Sequence, residues 1–519
     1  MTPGSEDFDL PAPPNEVLPN TPAGVGHRTV TSLAWNVVAS PLRMAVMFVR
    51  SVITAHLLGV ATFGVFAMAS SIVFVTSSLA RSIDGALLNR APETEDEQRA
   101  ADVLFSMKTI VTAVWVLALC AWALLGARPA LRGAVLTLTG VTAVSIFLDT
   151  PRAVLARRVV HRRLVMADLA ELTITSLVTV GLALAGAEIW ALVGAEIVGV
   201  AVSAAFLVGW RPAWRPHWRL DRDVVRYYLR FGSRTAPARV LFMATERIDD
   251  LWTGAYLGDY SLGIYSRAYR FATYPRNFVV APITSVIGGT YAELKHDRQR
   301  LNAVFRLSNS VLLTAGLAFG GALVLAAPEM VRLVLGVKWL PMVRPFQLMC
   351  IFALVDPIRI GLANMLGSLG DPGSVLRAYT LQFAVLAVGL LLLGPPFGIS
   401  GVTLAVDGMV VLGTAYLYRR ARRHVDVPIS RLIAPPLLAA AVGTAATLAV
   451  FTWPLSTLPF AAQLAYRFAF IQHPVIAAMV MAVKLSAFGF AYAATLALVD
   501  RRTLADLFAA VRPVLDRRR

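Results

Sequence analysis

The sequence contains few charged residues and almost no cysteine. Asp, Glu, Lys and Arg make up only 15% of the 519 residues, whereas hydrophobic residues make up 57% and the mean hydropathy is +0.66. A chain of this length is too apolar to be soluble, and its composition is typical of a polytopic membrane protein. Cys120 and Cys350 both lie inside apolar segments, which predicts buried free thiols and argues against a metal site or a disulfide.

The first 28 residues lack a long apolar run, and they also lack the basic start and the small-residue cleavage site of a secretory signal. They are acidic and interrupted by several prolines, so they cannot bury enough apolar surface to fold. We therefore predict a disordered cytoplasmic tail over residues 1–28.

From Leu33 onward about fourteen apolar segments follow one another, each close to the roughly 20 residues that a membrane-spanning helix needs. The predicted spans are Leu33–Leu57, Ala61–Leu88, Val103–Gly126, Leu131–Leu155, Leu164–Gly186, Ile189–Trp210, Val224–Leu257, Tyr260–Tyr291, Leu301–Ala327, Pro341–Leu369, Ser374–Gly394, Phe397–Tyr418, Leu432–Phe451 and Val475–Val499. The expected fold class is an all-α polytopic membrane protein.

The formal net charge of +17 comes mainly from short connections between the spans. Arginines cluster in alternate connections, around residues 157–163, 211–222, 295–300 and 419–423, and again in the C-terminal tail. This asymmetry marks topology and not a nucleic-acid-binding face, and it places both chain termini in the cytoplasm. The acidic connection 91–102 does not follow the pattern.

An internal repeat divides the spans into two sets of six. Leu58-Gly59-Val60-Ala61-Thr62-Phe63-Gly64-Val65-Phe66 follows the first span, and Leu257-Gly258-Asp259-Tyr260-Ser261-Leu262-Gly263-Ile264-Tyr265 follows the seventh. We interpret the glycines as tight turns, and the repeat as two six-helix lobes around a central cavity with two appended helices. The predicted segments are an N-lobe over 29–210, a basic linker over 211–223, a C-lobe over 224–423, two further helices over 424–500 and a basic cytoplasmic tail over 501–519.

The seventh and eighth spans carry more charge than a bilayer segment normally tolerates. Their charged residues include Arg234, Arg239, Glu246, Arg247, Asp249, Asp250, Arg267, Arg270 and Arg276. Each charge at membrane depth costs about 2.5–3.5 kcal/mol, so such residues usually face a bundle interior or a water-filled cavity. We therefore predict that these two helices line a polar cavity.

Three segments together form a recognisable pattern: the first connection with the second span, Arg247–Gly254 in the seventh span, and Leu262–Arg270 in the eighth. In these segments the chain resembles the Wzx-type polysaccharide exporters. These are oligosaccharide-lipid flippases of the multidrug/oligosaccharidyl-lipid/polysaccharide (MOP) superfamily. The resemblance covers Leu33–Tyr418 clearly, and because none of its motifs is catalytic it indicates a fold more strongly than a substrate. Asp250 and the pair Arg239 and Glu246 add charge beyond the family pattern.

The resemblance implies that a polyprenyl-pyrophosphate-linked oligosaccharide crosses the cytoplasmic membrane by alternating access between the lobes. It also suggests a polysaccharide polymerase and glycosyltransferases as partners. Guanidinium groups suit a pyrophosphate, and tyrosines suit sugars. The candidate substrate-binding residues are Arg50, Arg81, Arg234, Arg239, Arg247, Arg267, Arg270 and Arg276.

The acidic candidates have two open interpretations. Glu246, Asp249 and Asp250 are either structural counter-ions of Arg247 or Arg239, or groups that couple the cycle to a proton gradient. Two further pairs have helical spacing, Arg81 with Asp84 and Asp356 with Arg359, and we interpret them as ion pairs that lock the lobes together.

The sequence disfavours two other function classes. An enzyme acting on lipid-linked sugars needs a nucleophile, a general base or a metal ion, but the sequence has no HExxH motif, paired acidic motif or glycine-rich phosphate loop. A drug or cation antiporter of the same superfamily would need a mainly acidic cavity, which the arginine excess disfavours. We therefore expect a transporter without catalytic residues, metal or cofactor.

Overall fold

The computed structural model describes residues 42–81, 97–157, 161–210, 214–274, 297–426, 429–452 and 473–501. Over these ranges the chain is almost entirely helical and contains no β-strand. The predicted all-α fold class is confirmed. The tail predicted over 1–28, and all but the first residue of the basic tail predicted over 501–519, lie outside the described residues.

The first half of the described chain contains six helices that coincide with the first six predicted spans. They are α1 (42–57), α2 (Val60–Ser77), α3 (Glu97–Gly126), α4 (Pro129–Arg157), α5 (His161–Leu184) and α6 (Ile189–Ala204), which a π-helical turn at Ala205–Gly209 extends. Helix α4 packs against α2, α3 and α6, and α5 packs along α6. Buried apolar residues including Ala69, Val135 and Val193 form the core between them.

The second half differs from prediction at one place, the seventh span. It contains α7 (Arg222–Thr245), α8 (Ile248–Tyr256), α9 (258–274), α10 (Arg298–Val334), a 3₁₀ turn (Val337–Met342), α11 (Val343–Ser368) and α12 (Pro372–Ala421). The single span predicted over Val224–Leu257 is two helices, α7 and α8. The spans predicted over Ser374–Gly394 and Phe397–Tyr418 are the two arms of α12, which meet at a kink where Gly398 has φ 55. Two prolines just before this glycine favour the bend.

The last two helices, α13 (Ile429–Thr447) with a π-helical turn at Leu448–Thr452, and α14 (Pro474–Val499), pack on α10. Lys484 Nζ on α14 donates to Glu329 Oε1 on α10 at 2.8 Å. The Tyr492 hydroxyl donates to the Thr314 carbonyl at 2.8 Å. Specific polar contacts therefore hold this appended pair against the second half.

Ten helical stretches of the described chain are long and apolar enough to cross a membrane, with α12 counted as one stretch. The helices outside this count are α1 and α9, which are shorter over their described residues, and the charged pair α7 and α8. The packing groups α2–α6 together and α7 with α10–α12 together, while α8 packs on both α2 and α12. This grouping agrees with two lobes, whose residue boundaries stay a prediction.

The predicted basic linker is attached to α3 of the first half. Trp214 Nε1 donates to Asp102 Oδ1 at 2.9 Å, and Trp214 itself is buried. Asp221 at the start of α7 accepts a short hydrogen bond from Arg99, which lowers the pKa of Asp221 below its usual value. The described linker residues therefore form a fixed connection between the halves.

Candidate functional site

The chain is broken at Glu246 and Arg247, inside the seventh predicted span. Helix α7 ends at Thr245 and α8 begins at Ile248, and Arg247 between them has non-helical backbone angles of φ −139 and ψ −6. A break at membrane depth is tolerated where it is buried in protein or lines a polar space, because the released backbone groups need other partners. The break therefore marks the first part of the candidate site.

Side chains beside the break connect the two halves. Arg247 Nη1 donates to Asp250 Oδ2 at 3.0 Å, and Ser71 Oγ on α2 donates to the same oxygen at 3.0 Å. The Arg247 guanidinium also lies 5.2 Å from the ring centroid of Phe74 on α2. Asp249 accepts a short hydrogen bond from a tyrosine hydroxyl on α9. Asp250 is thus ion-paired with Arg247, and the two interpretations of the acidic residues stay predictions.

Arg50, Glu196 and Arg270 place charge in the middle of helices from both halves. Arg50 on α1 and Glu196 on α6 belong to the first half, Arg270 on α9 belongs to the second, and their charges interact. Glu196 and Arg270 are exposed. Because a charge that faces hydrocarbon costs about 2.5–3.5 kcal/mol, these side chains must face a polar space between the halves. They form the accessible part of the candidate site.

Arg267 occupies a different position from its neighbour Arg270. It is only 5% exposed, and its guanidinium carbon lies 3.6 Å from the ring centroid of Phe63 on α2. Its Nη1 donates to Ser51 Oγ on α1 at 2.7 Å. In this conformation Arg267 joins the two halves and is not accessible to a ligand in the polar space.

The two halves approach each other closely where α2 and α9 begin. A Cβ atom added to Gly64 of α2 would lie 1.7 Å from the Asp259 carbonyl oxygen, and one added to Gly263 of α9 would lie 2.1 Å from the Val60 carbonyl oxygen. Gly64 and Gly263 occupy the same position of the predicted repeat, and so do Val60 and Asp259. The contact is therefore reciprocal, as expected for duplicated halves around a pseudo-two-fold axis.

Polar contacts surround this helix crossing. Arg128, in the connection before α4, donates to Asp259 Oδ1 at 3.1 Å. Lys338, in the turn before α11, donates to the carbonyl oxygens of His56 and Leu58, each at 2.9 Å. Each contact runs from one half to the other. We call this region, the glycine crossing with its polar contacts, the closed end.

The Asp356–Arg359 pair exists but does not join the lobes. Arg359 Nε donates to Asp356 Oδ1 at 2.7 Å, and its Nη1 donates to Gln382 at 3.0 Å. Glu246 lies 3.7 Å from the same guanidinium. All these residues belong to the second half, so the pair holds helices α7, α11 and α12 together. The expectation that it locks one lobe to the other is corrected by these contacts.

The other predicted candidates lie apart from the site or outside the described chain. Arg81 Nη1 lies 3.4 Å from Asp149 on α4, and buried Lys108 on α3 lies 3.8 Å from the same carboxylate. This cluster belongs to the first half alone. The residues Asp84 and Arg276 fall outside the described residues, and the structure does not describe the side chains of Arg234 and Arg239.

A further network in the first half was not predicted. Arg152 on α4 contacts Asp168 at 3.1 Å and Glu171 at 3.2 Å, both on α5. Arg43 on α1 lies 3.7 Å from Asp168. The spacing of Asp168 and Glu171 shows that they share one face of a helix, but it does not show which neighbour that face meets. Glu196, the acid of the accessible site, was missed for the same reason.

Membrane-length helices in two packed halves, with a broken charged helix between them, define this protein as a polytopic membrane protein. The fold matches a structure of "Lipid II flippase MurJ, inward closed conformation" with a TM-score of 0.65 over 87% of this chain and 98% of that chain, at 13% identity. It also matches an inward-facing multidrug resistance MATE family transporter of the MOP superfamily with a TM-score of 0.50 over 77% and 95%, at 14% identity. At such identities the likeness concerns the fold.

Sequence comparison gives the family. Residues 53–344, more than half of the chain, match the model of the "Polysaccharide biosynthesis protein" family, and the chain belongs to this family. "Succinoglycan biosynthesis transport protein ExoT" of Rhizobium meliloti (strain 1021) is 27% identical over 327 residues, which cover 61% of this chain and 64% of that protein. The match therefore spans slightly less than two thirds of this relative. The predicted resemblance to Wzx-type flippases of the MOP superfamily is confirmed.

Proposed function

We propose that this protein moves a polyprenyl-pyrophosphate-linked oligosaccharide across the cytoplasmic membrane by alternating access. The observation that carries the proposal is the set of interacting charges at Arg50, Arg270 and Glu196, which lie on helices of both halves. A membrane protein retains such charges at depth for a substrate pathway more readily than for packing.

The chemistry of the site suits an anionic head group. Arg50 and Arg270 belong to different halves and their like charges repel each other. A pyrophosphate between them would relieve this repulsion and accept charge-assisted hydrogen bonds from both guanidinium groups. Because the two arginines lie on different halves, an anion that binds both would also draw the halves together. Tyr274, whose phenol interacts with Arg50, adds a group that can contact a sugar.

The expected orientation places the closed end on the outer side. The connections at the opposite end carry most of the arginines, so the positive-inside rule assigns that end and both termini to the cytoplasm. The described conformation would then receive its substrate from the cytoplasmic side. Release requires the glycine crossing and its polar contacts to separate. A polymerase and glycosyltransferases that make and consume the lipid-linked sugar are the expected partners.

A test replaces Arg50, Arg247 and Arg270 singly by Gln and by Lys. The measurement is the accumulation of lipid-linked oligosaccharide inside the cell, at confirmed membrane abundance. Loss with Gln and partial retention with Lys indicates a charge requirement, whereas loss with both indicates a need for the guanidinium fork. Graded losses are expected, because a transported ligand is released more readily from several moderate contacts than from one tight site.

Arg298→Gln is the matched control, since Arg298 is exposed and forms a surface ion pair with Asp426. It should export normally. Full export by all three Gln variants at normal abundance would refute the proposed site. A drug or cation antiporter would instead be inactivated by Glu196→Gln while the Arg50 and Arg270 variants kept their activity. Accumulated product chemically altered by the protein would indicate an enzyme.

A further inference from the structure

The described part of the basic linker is held in one shape against the start of α3. Besides the bond from Trp214 to α3, the Gln98 side chain donates to the Arg215 carbonyl oxygen at 2.9 Å. The peptide N–H of Arg219 donates to Ser106 Oγ, also at 2.9 Å. Positive charge alone satisfies the positive-inside rule, and it needs no fixed backbone. The linker therefore presents a surface of defined composition.

The start of α7 is attached to the same part of α3. Val224 and Tyr228, one turn apart, are buried in a core with α3 residues that include Ala100 and Leu104. The Tyr228 hydroxyl donates to the Ala100 carbonyl oxygen at 2.9 Å. The linker and the first turns of α7 thus form one unit on α3, and we call the exposed side of residues 214–230 the basic surface.

The basic surface combines large apolar side chains with arginines. Trp218 is 61% exposed, Leu220 is 52% exposed and Leu229 is 57% exposed. The exposed arginines among them are Arg215, Arg219, Arg222, Arg226 and Arg230. The acids within residues 214–230 are Asp221, which is bonded to α3, and Asp223. The surface is therefore strongly positive and partly apolar.

The length of α3 sets the depth of this surface in the membrane. The helix has 30 residues, which span about 45 Å, whereas the hydrocarbon core is about 30 Å thick. Its far end, at Gly126, adjoins a short connection to α4, and its first residues are charged, so the excess length lies at the start. The linker contacts α3 between Gln98 and Ser106. The basic surface therefore lies at the level of the lipid head groups.

We propose that the basic surface binds anionic phospholipids of the cytoplasmic leaflet. The guanidinium groups donate charge-assisted hydrogen bonds to the lipid phosphates, and Trp218 and Leu220 lie among the head groups. The excess of arginine favours anionic over neutral lipids, and the apolar side chains favour a lipid over a soluble anion. Because residues 214–230 connect the two halves, bound lipid holds the start of α7 beside α3. This binding does not depend on which substrate the protein moves.

The test uses the full chain in lipid nanodiscs, with a bimane fluorophore on Leu220→Cys after Cys120 and Cys350 are replaced. A minor fraction of the lipid carries acyl chains brominated near the carboxyl end, which quench the label on contact. This lipid is phosphatidylglycerol in one sample and phosphatidylcholine in the other. Phosphatidylglycerol should quench more strongly, and raising the salt concentration should reduce the difference. The triple variant of Arg215, Arg219 and Arg222 to Gln should lose the difference.

The matched control replaces three exposed arginines after α12, on the same side of the membrane, by Gln: Arg419, Arg422 and Arg423. It removes the same charge and should keep the preference for phosphatidylglycerol. Equal quenching by the two lipids before any arginine is changed would overturn the proposal. Equal loss in both triple variants would also overturn it, because the effect would then come from total charge. Absence of quenching by either lipid would place the surface in water or against a protein and would equally contradict lipid binding.

Discussion

The closed end depends on the close approach of α2 and α9, so one added methyl group should weaken it. In Gly64→Ala the new Cβ lies 1.7 Å from the Asp259 carbonyl oxygen, whereas ordinary contacts begin at 3.4 Å. The facing atoms are backbone and cannot rotate away, so the helices must separate by about 1.7 Å. Overpacking of this kind costs about 1–3 kcal/mol. Such a cost shifts the balance from closed to open by about 5- to 150-fold.

Spin labels at Leu125→Cys and Val337→Cys report this change. The two residues are exposed, lie near the closed end and belong to different halves. After the native cysteines are replaced, pulsed electron paramagnetic resonance should show added long distances in Gly64→Ala and in Gly263→Ala. Gly140→Ala on α4 is the control, because a Cβ there meets nothing within 4 Å. Unchanged distances in both crossing variants, with folding intact, would refute the argument that the glycines permit closure.

Two further predictions concern buried ion pairs. Asp356→Asn should lower the stability of the second half by about 3–5 kcal/mol, because it leaves the Arg359 charge buried without its closest carboxylate. The midpoint of thermal unfolding in detergent measures this loss of stability. A variant in which Asp356 and Arg359 are exchanged should recover part of the loss, and an unchanged midpoint in Asp356→Asn would contradict the prediction. Glu329→Gln should loosen α14 from α10 by leaving Lys484 without its carboxylate, and it should raise proteolysis of the last two helices. The double change Glu329→Leu with Lys484→Met should restore protection, and equal proteolysis of the single and double variants would show that the pair is not what holds α14.

The positions of the spans could be predicted because membrane insertion depends on local length and apolarity. The break at Arg247 could not, since a run of charges is equally compatible with one polar face of a continuous helix. The two arms of α12 were separated correctly because Pro395, Pro396 and Gly398 mark a bend directly in the sequence. Helix ends that proline or glycine marks in the sequence were therefore predicted correctly, whereas a helix end that depends on tertiary contacts was not.

The charged residues show where prediction from sequence ends. Arg267 and Arg270 are three residues apart and were predicted to have the same role. Helical geometry places them about 60° apart around the axis, which is enough for one to pack on Phe63 while the other faces the polar space. Helix rotation is set by packing between elements, and this rotation also decides that Glu196 is exposed. The charged residues can be read from the sequence. Their partners depend on how each helix is rotated about its axis, and the packing of the bundle determines that rotation.

The repeat motif was correctly located, but the role given to its glycines was only partly right. Gly258 does form a turn with φ 83, whereas the equivalent Gly59 has an ordinary φ of −71. The position that is used in the same way by both halves is the second glycine, Gly64 or Gly263, where it permits the helix crossing. Each half supplies one glycine and one facing carbonyl. If the contact between Gly64 and the Asp259 carbonyl opens, the helices are also too far apart for the contact between Gly263 and the Val60 carbonyl. A reciprocal contact of this kind favours two discrete arrangements over a gradual opening, and this is the behaviour that the proposed alternating access requires of a gate.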